Sequence, residues 1–238
     1  RSPWGGRLSD PAWLARFRIH ARQVDRYRVG RVLLAGDAAH IHSPAGGQGM
    51  NLGIQDAHNL GWKLAMMQRG APAALLDSYH AERHPIAART LRATDVATRL
   101  GTVRHPWLRA LRDLAGSAVG GLAPVVDAIT RSVAELDTGV EHSPIVVDDA
   151  PGGPRSGGRP ADLPVSEDHV LMQIAGPSTD ADGRLRLRAC VAVARDGWGD
   201  RVRVAPTTVA REGFDADGVL LVRPDGYVGV RLAPADPG

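Results

Sequence analysis

Gly36-Asp37-Ala38-Ala39-His40-Ile41-His42-Ser43-Pro44-Ala45-Gly46-Gly47-Gln48-Gly49-Met50-Asn51 joins a short apolar run to a segment with helical periodicity. The apolar run Arg31-Val32-Leu33-Leu34-Ala35 precedes it and predicts a short buried strand. Beyond it, Ile54, Ala57, Leu60, Leu64 and Met67 recur at helical spacing. That spacing predicts a helix of roughly five turns, stopped at Gly70. Between strand and helix lies a loop rich in turn formers, with Pro44, Gly46, Gly47 and Gly49 inside it and Asp37 at its mouth. Such a loop presents backbone N–H groups at the positive end of a helix, an arrangement suited to an anionic or electron-rich ligand.

The string GDAAHIHSPAGGQGMNLGIQDAHNLGWKLA resembles the second flavin-contacting motif of the class A FAD-dependent aromatic monooxygenases, which have the p-hydroxybenzoate hydroxylase fold. The likeness continues through LLDSYHAERHP at residues 75–85. It returns in LLVRPDGY near the end, which is similar to the close of the thioredoxin-like domain in the phenol and polyketide hydroxylase branch. It is thin between about residues 93 and 161.

The resemblance implies an α/β fold: the C-terminal part of a FAD-binding domain over residues 1–137, a linker over 138–164, and a thioredoxin-like domain over 165–238. It also implies that Asp37 accepts a hydrogen bond from a ribityl hydroxyl of FAD. The alternative for Asp37 is a turn cap. Gly36, Pro44, Gly47, Gln48, Gly49, Met50 and Asn51 complete the expected cofactor-binding set, with the amides of residues 49–51 facing the pyrimidine edge, where reduced flavin carries its charge. Glycines at 46, 47 and 49 would permit close approach and positive φ.

The family chemistry would take NAD(P)H as reductant and O2 as oxidant, and pass oxygen to an aromatic substrate through a flavin C4a-hydroperoxide; no side chain of this chain is assigned a catalytic role. No GxGxxG follows a strand, the turn that receives a dinucleotide pyrophosphate. Accordingly the chain reads as a C-terminal half, and residues 1–238 alone are expected to bind FAD poorly. Two other readings stand beside this one: a non-hydroxylating flavin oxidoreductase of the same fold, and a non-catalytic dimerisation module. The latter has no need of a flavin loop.

Composition narrows the classes further. A chain of 238 residues with 43% hydrophobic and 23% charged residues can bury a sizeable core. No apolar run approaches the roughly 20 residues of a membrane-spanning helix. A net charge of +3, carried by interspersed Arg with Lys63 as the sole lysine, offers no basic face for nucleic acid. The single cysteine, Cys190, precludes an intrachain disulfide and fits a cytoplasmic setting. Without a C-x-x-C, a thioredoxin-like domain has no dithiol chemistry and would be a structural or homodimer-forming appendage.

Phe17, Ile19 and Ala21 alternate with Arg18, His20 and Arg22 as in a half-buried strand. The arginines at 16, 18, 22, 26 and 28 read as its solvated face, the alternative being a path for an anionic substrate or the phosphate of NADPH. The helical rhythm after Ala73 is expected to kink or restart at Pro85. Residues 106–116 and 124–136 read as two further helices. Residues 151–160, dense in Pro and Gly, read as an exposed linker or a loop at a domain edge. Short β-type runs follow, with a hairpin turn at Pro224-Asp225-Gly226. His40 and His42 lack the further ligands of a metal set and read as packing or capping residues, and His80 and His84 as surface residues.

Overall fold

The structure is a computed structural model that describes residues 10, 12–13, 20–44, 47–120, 124, 139–149, 156–158, 166–175, 202–205, 209–210 and 218–232. The expected helix over 124–136, apart from residue 124, the alternating residues 17–19 and Cys190 lie outside the described residues.

The N-terminal part is built from short strands against two long helices. Strand β1 (Arg22–Gln23) pairs antiparallel with β4 (His40–Ile41), while β2 (Arg28–Val29) and β3 (Val32–Leu33) form a hairpin. Gly30 turns that hairpin at φ +58°. The apolar run over 31–35 is therefore only partly a strand, and not a buried one: Val32 is 62% exposed. Its pairing with β2 covers one edge, and no other strand pairs with it among the described residues. Arg28 bonds the carbonyls of Gly30 and Ala73 and the Asp77 carboxylate, so it ties the hairpin to the helices.

Helix α1 (Gly49–Gln68) has the expected length, and Gly70 closes it at φ +96°. Its inward face differs from the one marked by the apolar spacing. Leu52, Asp56, Asn59, Trp62 and Lys63 are buried, whereas Ile54 and Leu64 are 59% and 38% exposed. Polar groups occupy the seam because each finds a partner there; an unpaired one would cost several kcal/mol, on the order of 2–7. A 3-10 turn (Ala73–Leu76) leads into α2 (Asp77–Gly101), which runs through Pro85 as one element. Pro85 lies on the exposed side, and the flanking helical bonds carry the chain across the one it cannot make. Helix α3 (Pro106–Val119) follows, with proline in its first turn.

Tyr27 stands at the centre of the principal core, fully buried with Leu52, Tyr79, Ile86 and Tyr227. The rings of His80 and His84 lie 5.8 and 5.3 Å from it. Both histidines are half-buried packing residues, contrary to the surface reading. The Tyr27 backbone N–H points to His80 Nδ1 at 3.4 Å, and burial pushes the Tyr27 phenol up to about 12.

A six-stranded sheet forms the C-terminal part. Its strands are β5 (Val147–Asp149), β6 (His169–Ala175), β7 (Val202–Val204), β8 (Val209–Ala210), β9 (Gly218–Val222) and β10 (Val228–Leu232). The order is β5-β10-β9-β6-β7, with β8 also paired to β6. β6 runs parallel to β7 and antiparallel to β9, β9 antiparallel to β10, and β10 parallel to β5.

The described residues between 139 and 158 are no exposed linker. Val147–Asp149 pairs with β10, Ser156 is 2% exposed, and Gly157 exchanges backbone bonds with Val140 and Val228. Glycine at 157, at φ +83°, permits that course. The hairpin turn at 224–226 forms as expected, with Gly226 at φ +82°, but it is buried.

Candidate functional site

Ala35 leads into a 3-10 turn, Gly36–Ala38, in which the Ala39 N–H bonds the Gly36 carbonyl at 2.8 Å. Gly36 adopts φ +57°, and a Cβ built on Gly53 of α1 would lie 3.4 Å from its Cα. Both positions are glycine because the turn lies directly on the helix. Asp37 projects outward, exposed, and its carboxylate makes no hydrogen bond or ion pair among the described residues.

Behind the turn, Asp56 is fully buried and accepts three bonds. The Gly36 N–H (3.1 Å) and His40 Nε2 (2.6 Å) share Oδ2, while Arg83 Nε reaches Oδ1 at 2.7 Å. Burial would raise this carboxyl, but the His40 bond and the Arg83 charge outweigh it and hold the pKa below the usual range. Arg83 is braced in turn by Gln55 Oε1 and the Leu52 carbonyl. His40 is thus committed to a carboxylate; no group of three or more metal-ligating side chains occurs among the described residues.

The other lip is the start of α1. Gly47, at φ +66°, donates its N–H to the Pro44 carbonyl, so Pro44 to Gly47 make a tight turn. Thr98 of α2 donates to the Ser43 hydroxyl at 2.6 Å and anchors the chain just before Pro44. Gln48 is buried and occupies the N-cap, yet no side chain caps the helix. Leu52 N–H is already bound to the Gln48 carbonyl. The amides of Gly49, Met50 and Asn51 precede it and have no intrahelical acceptor. Met50 is 74% exposed and Asn51 is also exposed, while Gly49 is half-buried beside the His42 ring. Residues 45 and 46 lie outside the described residues.

An unpaired carboxylate and an uncapped helix end thus flank one loop. This donor and acceptor set fits a flavin, with Asp37 for a sugar-alcohol hydroxyl and the helix amides for the electron-rich ring edge. A helix N-terminus contributes roughly 0.3–2 kcal/mol toward a nearby anion. The residues that hold the lips in place, Asp56 and Arg83, are ones the apolar periodicity does not mark. Their sequence signal is a polar stripe, Asp56, Asn59 and Lys63, recurring at helical spacing where a core face is wanted.

That stripe continues into a second buried cluster. Glu82 receives Lys63 Nζ, Asn59 Nδ2 and both terminal nitrogens of Arg223, each at 2.7–2.8 Å, and the Ser143 hydroxyl donates to it as well. Asp225 receives Arg223, Trp62 Nε1 (2.8 Å) and Asn59 (3.0 Å). The 224–226 turn therefore docks the C-terminal sheet onto α1 and α2. Burial works to raise the Glu82 pKa, but Arg223 and Lys63 outweigh it and hold it down to about 2. Burial brings Lys63 down to about 8, because Glu82 restores only part of what desolvation removes.

Linkage gives two signed expectations. A carboxyl with a depressed folded pKa contributes stability above its unfolded value, lost as pH falls through the folded one. Stability should therefore drop by on the order of 3 kcal/mol between pH 4.5 and about 2 through Glu82 alone. A lysine with a depressed pKa acts oppositely: between pH about 8 and 10.5 the folded state binds fewer protons, so stability rises with pH. Urea unfolding across pH checks both, and the Glu82→Gln variant should lose the Glu82 part of the acid limb while the Asp56 part remains.

The chain is similar to several known proteins. Residues 5–94 match the FAD binding domain family. The chain is 41% identical over 228 residues to rifampicin monooxygenase from Streptomyces venezuelae, covering 93% of this chain and 43% of that protein. It is 43% identical over 235 residues to the 12-dehydrotetracycline 5-monooxygenase/anhydrotetracycline 6-monooxygenase of Streptomyces rimosus subsp. rimosus, covering 95% and 45%. Among solved structures, CabE, an aromatic hydroxylase from angucycline biosynthesis, superposes with a TM-score of 0.70 at 36% identity, over 95% of this chain and 47% of that one. The chain thus spans a little under half the length of the curated relatives it matches. With a flavin-domain match over the strand–turn–helix region and an α/β fold shared along nearly its whole length, the chain is similar to the class A flavin monooxygenases.

Proposed function

We propose that the protein containing this chain is a FAD- and NAD(P)H-dependent aromatic hydroxylase. Its substrate would be a phenolic or fused polycyclic polyketide, the class to which the tetracyclines and angucyclines named for its relatives belong. The observation that carries this reading is the juxtaposition of the Asp37 carboxylate, which has no partner among the described residues, with the uncapped first turn of α1. Bound FAD supplies the redox chemistry, accepting reducing equivalents from NAD(P)H and activating O2 for delivery to an electron-rich ring.

The chain's own residues bind and orient. Asp37 holds the ribityl chain by a charge-assisted hydrogen bond. Gly49, Met50 and Asn51 offer N–H groups to the ring edge that becomes negative on reduction, with Gln48 seated beneath them. Preorganised donors of this kind lower the cost of developing charge without rearranging. Pro44 and Gly47 set the turn that leads into those amides.

The C-terminal sheet completes the proposal as a thioredoxin-like unit. The strand order β7-β6-β9-β10, with one parallel and two antiparallel neighbours, supports that assignment. It begins earlier than residue 165, since β5 joins the same sheet. Lacking C-x-x-C, it serves as a structural clasp over α1 and α2. Among the described residues no helix is long and apolar enough to cross a membrane, and the single cysteine supports a cytoplasmic setting.

The test is turnover of the complete protein with FAD, NADPH, ¹⁸O₂ and a panel of phenolic polycycles. One ¹⁸O atom should enter the product ring. NADPH oxidation that yields only hydrogen peroxide across the panel would instead favour a non-hydroxylating oxidoreductase.

A further inference from the structure

We infer that Asp56 is the positioning residue of the cofactor site: its buried carboxylate fixes the Gly36 amide, and through it the direction in which Asp37 meets the cofactor. The inference rests on the flavin reading of Asp37. Gly36 immediately precedes Asp37, and Asp56 reaches its N–H from the first turns of α1. One carboxylate thereby couples both lips of the site, the turn that bears the acid and the helix whose amides face the ring. Its two oxygens serve three donors from three places: the turn, strand β4 through His40, and helix α2 through Arg83.

The chemistry of substitution follows from that count. Asparagine at 56 keeps one acceptor oxygen and replaces the other with a donor. With its NH2 toward Arg83, it opposes a cation. With its NH2 toward the turn, it leaves the Gly36 N–H unpaired. His40 can adapt in the second case, because its Nδ1 has no partner among the described residues and can take up the ring proton while Nε2 accepts. Gly36 has no such alternative. Asp56→Asn therefore releases the turn in particular and leaves the His40 contact satisfiable.

The decisive experiment is a double-mutant cycle on FAD dissociation, read by flavin fluorescence in the complete protein. Asp56→Asn should weaken FAD about tenfold. In an Asp37→Ala background the same substitution should cost less than about threefold, because the group it positions is gone. Gly53→Ala gives a second route that leaves every ionic contact intact. Its Cβ would meet the Gly36 backbone at 3.4 Å, while alanine favours the helix, so FAD should weaken with thermal stability maintained.

Full additivity of Asp56→Asn with Asp37→Ala would overturn the inference, since Asp56 would then act only through general folding. Unchanged FAD affinity in folded Asp56→Asn, or in Gly53→Ala should Asp56→Asn fail to fold, would overturn it as well. Wild-type affinity in Asp37→Ala itself would overturn the flavin reading and this inference with it.

Discussion

Arg223→Met is expected to lower the unfolding free energy by about 3–5 kcal/mol, the cost of removing one partner from a buried ion pair. Arg223 is 2% exposed and lies between Glu82 and Asp225, with its guanidinium 5.0 Å from the Trp62 ring centroid and 5.5 Å from that of Tyr227. The cluster has two cations, Lys63 and Arg223, and two anions, Glu82 and Asp225. Methionine fills much of the volume but leaves a buried excess negative charge. Burial opposes the Arg223 charge, yet Asp225 and Glu82 together raise its pKa above the ordinary value, so the guanidinium remains ionised in place.

The loss should fall on the seam between the C-terminal sheet and α1–α2. The variant should therefore expose the sheet to limited proteolysis before the N-terminal helices unfold. An unchanged denaturant midpoint would remove the clasp role assigned to the 224–226 turn. Replacing Lys63 alone should also destabilise. Exchanging the whole ionic set for apolar residues of similar volume should be far less costly, since no charge is then stranded.

Asp37→Ala carries the second large effect. A hydrogen bond to a charged group is worth about 1.5–3 kcal/mol, so FAD should bind about 10- to 150-fold more weakly. Because Asp37 is exposed and has no partner among the described residues, its removal should leave the thermal midpoint of the cofactor-free protein within about 2 °C of the parent. That separation of affinity from stability distinguishes a ligand-facing acid from a turn cap, for which stability would fall and affinity follow. Asp37→Asn should recover part of the loss, since its amide oxygen still accepts.

Much of the site is legible in the chain because its chemistry is local. A glycine at positive φ, an acid at the end of an apolar run and a helix without an N-cap side chain all lie within the stretch from Gly36 to Asn51. The supports are not local. Asp56 meets Gly36 across 20 residues, and Arg223 meets Glu82 across 141. No periodicity announces such pairs. Apolar spacing on α1 misplaces the buried face for the same reason: Asp56, Asn59 and Lys63 are core residues only because α2 and the 224–226 turn supply partners.

Proline within α2 shows the same override, since packing of Tyr79, Ile86 and Leu91 holds the helix through a position that local preference would break. Ser156 and Gly157, in the described part of the Pro/Gly-dense stretch, are buried rather than exposed. The Gly157 backbone groups pair with residues 140 and 228, which composition cannot reveal.

Hydrogen–deuterium exchange of the complete protein, with and without saturating FAD, tests the central claim most directly. FAD should slow exchange at the amides of Gly49, Met50 and Asn51, which have no intrahelical acceptor, and at the amide of Asp37. FAD bound at full stoichiometry with unchanged exchange at those amides would contradict the account.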